Sequence, residues 1–304
     1  MSGCELCPRR CGVDREKTAG FCGATAVLKA ARAGLHLWEE PSISGENGAG
    51  TVFFSGCGLR CVYCQNYEIS GGAAGAEITV SRLREIFFEL IGRGAECIDL
   101  VTPTHFTPQI AEALRGGLPV PVVWNSSGYE RVETLKRMDG LVDVYLPDFK
   151  YSDPAAAKKY SNAADYPSVA LAALREMYRQ TGPLRFSEKG TLTRGVQVRH
   201  LVLPGNLENT YGVIDAFSSL FPSGEAGFSL MSQFTPTPAC EQYPELNRRL
   251  TAEEYEKAVD YMYLCGVENG FVQELSSARE EYVPAFDGSG VLPQADRPPK
   301  ADTI

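Results

Sequence analysis

No basic stripe runs through this sequence, and that absence excludes a first class of function. The 304 residues carry 29 Lys and Arg against 38 Asp and Glu, a formal net charge of −9. Nucleic-acid phosphates call for clustered Lys and Arg, so no nucleic-acid partner is expected. No apolar run approaches the ~18 residues that a bilayer span needs. The opening Met-Ser-Gly-Cys-Glu-Leu-Cys-Pro-Arg-Arg lacks the apolar region of a secretory signal. No repeat at solenoid spacing is visible. Together these absences predict a cytoplasmic protein with no membrane partner.

What is present is an ordinary globular composition, with 44% hydrophobic and 22% charged residues. A chain of this length buries a core without covalent staples. It nevertheless holds ten cysteines, and they are clustered. Cys4, Cys7, Cys11 and Cys22 form one group and Cys57, Cys61 and Cys64 a second, while Cys97, Cys240 and Cys265 are scattered. A reducing compartment disfavours disulfides, so such clusters point to metal or catalysis.

Six short apolar segments read as buried strands, at 51–57, 97–104, 121–127, 143–150, 198–205 and 227–234. Between them lie helical patterns at 81–92, with Ser81 as its cap, and at 107–114, 130–138, 166–180 and 207–220. A last helix is predicted from about Ala252 to Leu264, capped by Thr251. This alternation implies a parallel sheet with crossover helices, in an α/β fold. Six units suit an open doubly wound sheet or an incomplete barrel, and both place chemistry at the C-terminal ends of strands. The expected organisation is a Cys-rich metal-binding module at 1–50, the main domain at 51–282 and an extended tail at 283–304.

The sharpest motif is Cys57-Gly-Leu-Arg-Cys61-Val-Tyr-Cys64, directly after the first of these strands. Three thiolates from one tight loop can hold three irons of a cubane and leave the fourth open to a small-molecule chelate. A zinc knuckle with a borrowed fourth ligand is the plainer alternative. The N-terminal group, spaced C-x2-C-x3-C-x10-C, supplies four thiolates and a closed shell. Zinc, slightly favoured, and an auxiliary iron–sulfur cluster both fit that count.

The Cys57–Cys64 motif in this strand context resembles the radical S-adenosylmethionine (SAM) superfamily. Within it, Cys64-Gln65-Asn66 is similar to the Cys-x-Asn step of the pyruvate formate-lyase activating enzymes. Asn125-Ser126-Ser127-Gly128 resembles their Asp-Thr-Asn-Gly, and Asp148-Phe149-Lys150 their Asp-Leu-Lys. Arg199 to Gly205 is similar to their Arg-x-Val-x-Pro-Gly strand. The match covers about 51 to 234 and looks most like the activase-homologue branch.

The resemblance implies a partial (β/α)6 TIM-like barrel. Cys57, Cys61 and Cys64 would ligate a 4Fe–4S cluster that cleaves SAM. Tyr63 would lie near the adenine, with Val202 lining its pocket. Asn66 belongs to the cluster motif. Asn125, Ser127, Asp148 and Lys150 would serve the ribose and methionine ends. Two departures stand out. Thr102-Pro103-Thr104-His105 replaces the usual Gly-Gly-Glu, so Thr104 and His105 would supply the missing acceptors. Gln233 stands where the activases have a ribose-side His. The substrate would be a protein glycine, a peptide or a small molecule, and the electron donor a flavodoxin or ferredoxin. The competing classes are a non-enzymatic iron–sulfur electron carrier and a zinc-stabilised interaction module.

Overall fold

A computed structural model describes residues 3–274 and 284–293. Its centre is one large sheet of mostly parallel strands. The strands are β1 (Lys29–His36), β2 (Ala49–Phe54), β3 (Ala76–Glu77), β4 (Ile98–Val101), β5 (Val122–Ser126), β6 (Val144–Pro147), β7 (Arg185–Phe186), β8 (Leu192–Leu201), β9 (Gly227–Met231) and β10 (Gly270–Val272). The order across the sheet is β10-β9-β8-β6-β5-β4-β2-β1-β3, with β7 on β8. β2, β4, β5, β6, β8, β9 and β10 pair in parallel. β1 pairs antiparallel with β2 and with β3. The sheet stays open between β10 and β3, so the architecture is a partial TIM-like barrel.

The parallel strands form because both their faces are covered. Every residue of β2, β4, β5, β6 and β9 is buried, as near-continuous apolar runs require. The covering helices show the complementary pattern. Val80–Gly92 buries Leu83, Ile86, Phe87 and Leu90 on one side. Its start corrects the sequence expectation: the cap is Thr79, whose hydroxyl accepts from Arg82 N at 3.1 Å, and Ser81 lies inside the helix. Ala252–Leu264 begins with a full capping box between Thr251 and Glu254.

Two further expectations change. β1 joins the main sheet, so part of the N-terminal module is built into the core. In the tail, residues 284–293 are packed in place, while 294–304 lie outside the described residues. Gly288 N donates to Ala31 O at 2.9 Å and Ala33 N to Ser289 O at 2.8 Å. Val291 is fully buried. The tail thereby satisfies edge groups of β1 that would otherwise face water.

No helix among the described residues is long and apolar enough to cross a membrane. Phe87 is fully buried against the sheet, so Phe87→Ala should cost about 3–5 kcal/mol, read from the urea midpoint of unfolding.

Candidate active site at the strand ends

The C-terminal ends of the parallel strands open onto one cleft. Its cavity volume is about 200 Å³. Cys57, Cys61, Cys64, Tyr63, Asn66, Asn125, Ser127, Asp148, Lys150 and Gln233 all line it. The fold therefore gathers ten of the sequence-predicted residues from four stretches of chain.

The cysteine loop follows β2 through Gly56, whose φ is +94°. A Cβ there would lie 2.6 Å from Cys22 O, so only glycine makes this turn. Leu59 N points at Cys57 Sγ at 3.4 Å. A hydrogen bond between Cys61 and Cys64 lowers the pKa of Cys61 and raises that of Cys64. Burial raises that of Cys57. Tyr63 is buried edge-on against Tyr151 and Tyr160, at 6.3 and 6.4 Å between ring centres.

A polar network forms the opposite wall. Lys150 Nζ lies 2.7 Å from Asp148 Oδ2, and Arg199 Nε donates to Asp148 Oδ1 at 3.0 Å. The same guanidinium reaches Glu39 Oε1 and Asn125 Oδ1, each at 2.7 Å. Asn125 Nδ2 closes the ring on Glu39 Oε2 at 3.0 Å. Burial works against the Asp148 carboxylate, but Lys150 and Arg199 outweigh it and hold its pKa below the ordinary value. Burial likewise works against the Lys150 ammonium, and Asp148 raises its pKa overall. Asp99, buried beside Glu39, is pushed well above the usual carboxylate range.

Three expected residues stand elsewhere. Thr102, directly after β4, has φ +58°, a costly conformation for a β-branched residue. The chain then turns into a 3-10 helix, Thr104–Phe106. That turn takes Thr104 to Glu130, with Oγ1 2.6 Å from Oε1. It takes His105 beneath the loop, with Nε2 2.8 Å from Ser55 O. Val101 and Thr102 line the cleft in their place. Val202 is fully buried and lies outside the lining, because strand side chains alternate. Arg199 and Leu201 face the cleft, whereas His200 bonds Phe149 O and Thr210 Oγ1 on the other side.

The sequence reading assigned no role to Arg199, Trp38 or Glu39. Both Trp38 and Glu39 line the cleft. Cys240 is fully buried, with its sulfur 3.5 Å from Thr237 Oγ1, and does not reach the cleft.

The residues fit a thiolate-held cluster with a bound small molecule. Three free thiols share the cleft with an ammonium that has two unused donors. No three Cys, His, Asp or Glu side chains among the described residues converge on one point as ligands of a single ion would. A cubane does not require that, since each thiolate binds its own iron.

No protein-family model matches the sequence. An uncharacterized protein of Methanocaldococcus jannaschii is 29% identical over 294 residues, covering 86% of this chain and 74% of that protein. Among solved structures, a domain of pyruvate-formate lyase-activating enzyme from Bacteroides vulgatus matches with TM-score 0.39 and 13% identity. That match covers 56% of this chain and 92% of that one. A spore photoproduct lyase variant with bound AdoMet and dinucleoside spore photoproduct gives TM-score 0.49 and 14% identity, over 76% and 78% of the two chains. Both enzymes are radical SAM enzymes.

Two outcomes follow from the geometry. Arg199→Ala leaves Glu39 without its cationic partner and Asp148 with Lys150 alone, and should cost about 3–5 kcal/mol in urea unfolding. Arg199→Lys should not restore the loss, because one ammonium cannot span three partners.

The second concerns Glu130, whose Oε2 is buried without a partner. Burial raises its pKa from 4.5 to about 7 against the hydrogen bonds of Thr104, Ser126 and Trp124. The folded state then holds a proton that the unfolded state releases, so stability falls from about pH 4.5 to 7. Glu130→Gln should match the wild type near pH 4.5. Above pH 7 it should be more stable by on the order of 3 kcal/mol, measured by urea unfolding across that range.

Proposed function

We propose that this protein is a radical SAM enzyme. The observation that carries the reading is the placement of Cys57, Cys61 and Cys64 in one loop at the strand ends, facing Lys150, Asp148 and Asn125 across a shared cleft. The three thiols hold a 4Fe–4S cluster, and three ligands leave one iron open. When bound, that cluster supplies the electron that splits the sulfur–C5′ bond of SAM and yields a 5′-deoxyadenosyl radical.

The chain's own residues bind and orient. Lys150 is fixed by Asp148 and presents its remaining N–H donors to the cofactor carboxylate. Asn125 and Ser127 stand at the neighbouring strand end for ribose hydroxyls, with Gln233 on the β9 side. Tyr63 supplies an aromatic wall for the adenine. Buried strand ends limit water in the site, which strengthens each polar contact. In this reading the enzyme is activase-like, and its target is a protein glycine, a peptide or a small molecule. A flavodoxin or ferredoxin delivers the electron, in the cytoplasm.

The test is anaerobic reconstitution followed by chromatography of the products. Reduced protein should turn SAM into 5′-deoxyadenosine and methionine, and the Cys57→Ala/Cys61→Ala/Cys64→Ala variant should make neither. Methylthioadenosine alone, or undiminished cleavage by the variant, would overturn the reading.

A further inference from the structure

The N-terminal cysteines take no part in the cleft, yet the fold brings them together. Cys4 N donates to Val13 O at 2.9 Å and Gly12 N to Cys4 O at 3.0 Å, which folds residues 4–13 back on themselves. A hydrogen bond links the Cys4 and Cys11 thiols. A Cβ placed on Gly20 would lie 3.2 Å from Cys11 Sγ and 3.6 Å from Cys22 Sγ. Cys7 is close enough to feel the charges of both Cys4 and Cys22. All four are free thiols, and Cys7 and Cys22 are buried.

This nest abuts the catalytic loop. Cys57 N donates to Cys22 O at 3.1 Å. A Cβ on Gly58 would meet Cys7 Sγ at 3.4 Å. Arg9, between Cys7 and Cys11, donates to Gly58 O at 2.9 Å and to Leu59 O at 3.2 Å. Its guanidinium lies over the Phe21 ring at 4.3 Å. The two cysteine groups are therefore joined through backbone and one buried sulfur, with no intervening layer.

Four thiols in one nest call for a soft metal. Zinc and an iron–sulfur cluster both accept four thiolates, but zinc has no redox chemistry, and this nest lies directly against the loop that would carry the first cluster. We propose that Cys4, Cys7, Cys11 and Cys22 hold a second iron–sulfur cluster, set directly against the loop that carries the first. The site stands on its own ligands and does not depend on SAM chemistry in the cleft.

The test counts iron, sulfide and zinc after anaerobic reconstitution of the full chain. The Cys57→Ala/Cys61→Ala/Cys64→Ala variant should keep about four irons and four sulfides. The Cys4→Ser/Cys11→Ser variant should fall from about eight irons to about four. Circular dichroism identifies variants that have not folded, and should the first fail to fold, the second decides. The electron paramagnetic resonance signal of the reduced wild type should also relax faster than that of either variant, since two adjacent spins couple. A folded triple variant without iron, one that takes up zinc alone, or a Cys4→Ser/Cys11→Ser variant with full iron would overturn the proposal. Loss of SAM cleavage with the N-terminal iron intact would instead count against the cleft.

Discussion

The cleft depends on one guanidinium. Arg199 leaves β8 and touches Asp148 at the end of β6, Asn125 on β5 and Glu39 beyond β1. Parallel strands bond side by side along their length, but nothing in the ladder fixes the polar side chains at their ends. Arg199 does so, because a planar fork with five donors can satisfy three partners at once. Lys150 is held in turn through Asp148. Glu39 and Asp148 are set against Lys150 and Arg199 in this part-buried network, and the buried Glu40 and Asp99 also act on Arg199. Removing one would leave the others exposed to the full cost of burial.

On the other side of the cleft the constraint is backbone. Gly56 turns the chain in a conformation that other residues resist, close against Cys22 O. Arg9 then grips Gly58 O and Leu59 O. The loop bearing Cys57, Cys61 and Cys64 is thus held from behind by the N-terminal segment before any metal arrives. Such support from behind keeps a reactive site in one geometry.

Much of this was legible in the sequence, for identifiable reasons. The parallel strands are buried on both faces, so their apolar runs stand out, and the cysteine spacing is local. Asn125, Asp148 and Lys150 sit at strand ends, where the fold class places chemistry. Thr104 and His105 misled because a strained residue, Thr102, turns the chain into a 3-10 helix that no propensity signals. Val202 misled by one register step, which moves a strand side chain to the opposite face. Period-two alternation from Arg199 would have shown it. Glu39 is about 160 residues from its partner Arg199, and no local pattern reports such a pairing. The tail's proline-rich composition concealed Val291, whose burial depends on an edge of β1 that the sequence did not mark as a strand.

The central claim is that the Cys57–Cys61–Cys64 cluster keeps an iron open to SAM. Electron paramagnetic resonance of the reduced, reconstituted protein before and after addition of SAM tests it directly. The cluster signal should change shape and position on addition, because a ligand to the open iron alters its electronic environment. Lys150→Ala should need more SAM to produce the same change. A spectrum that stays unaltered at saturating SAM, with the cluster fully present, would contradict the account.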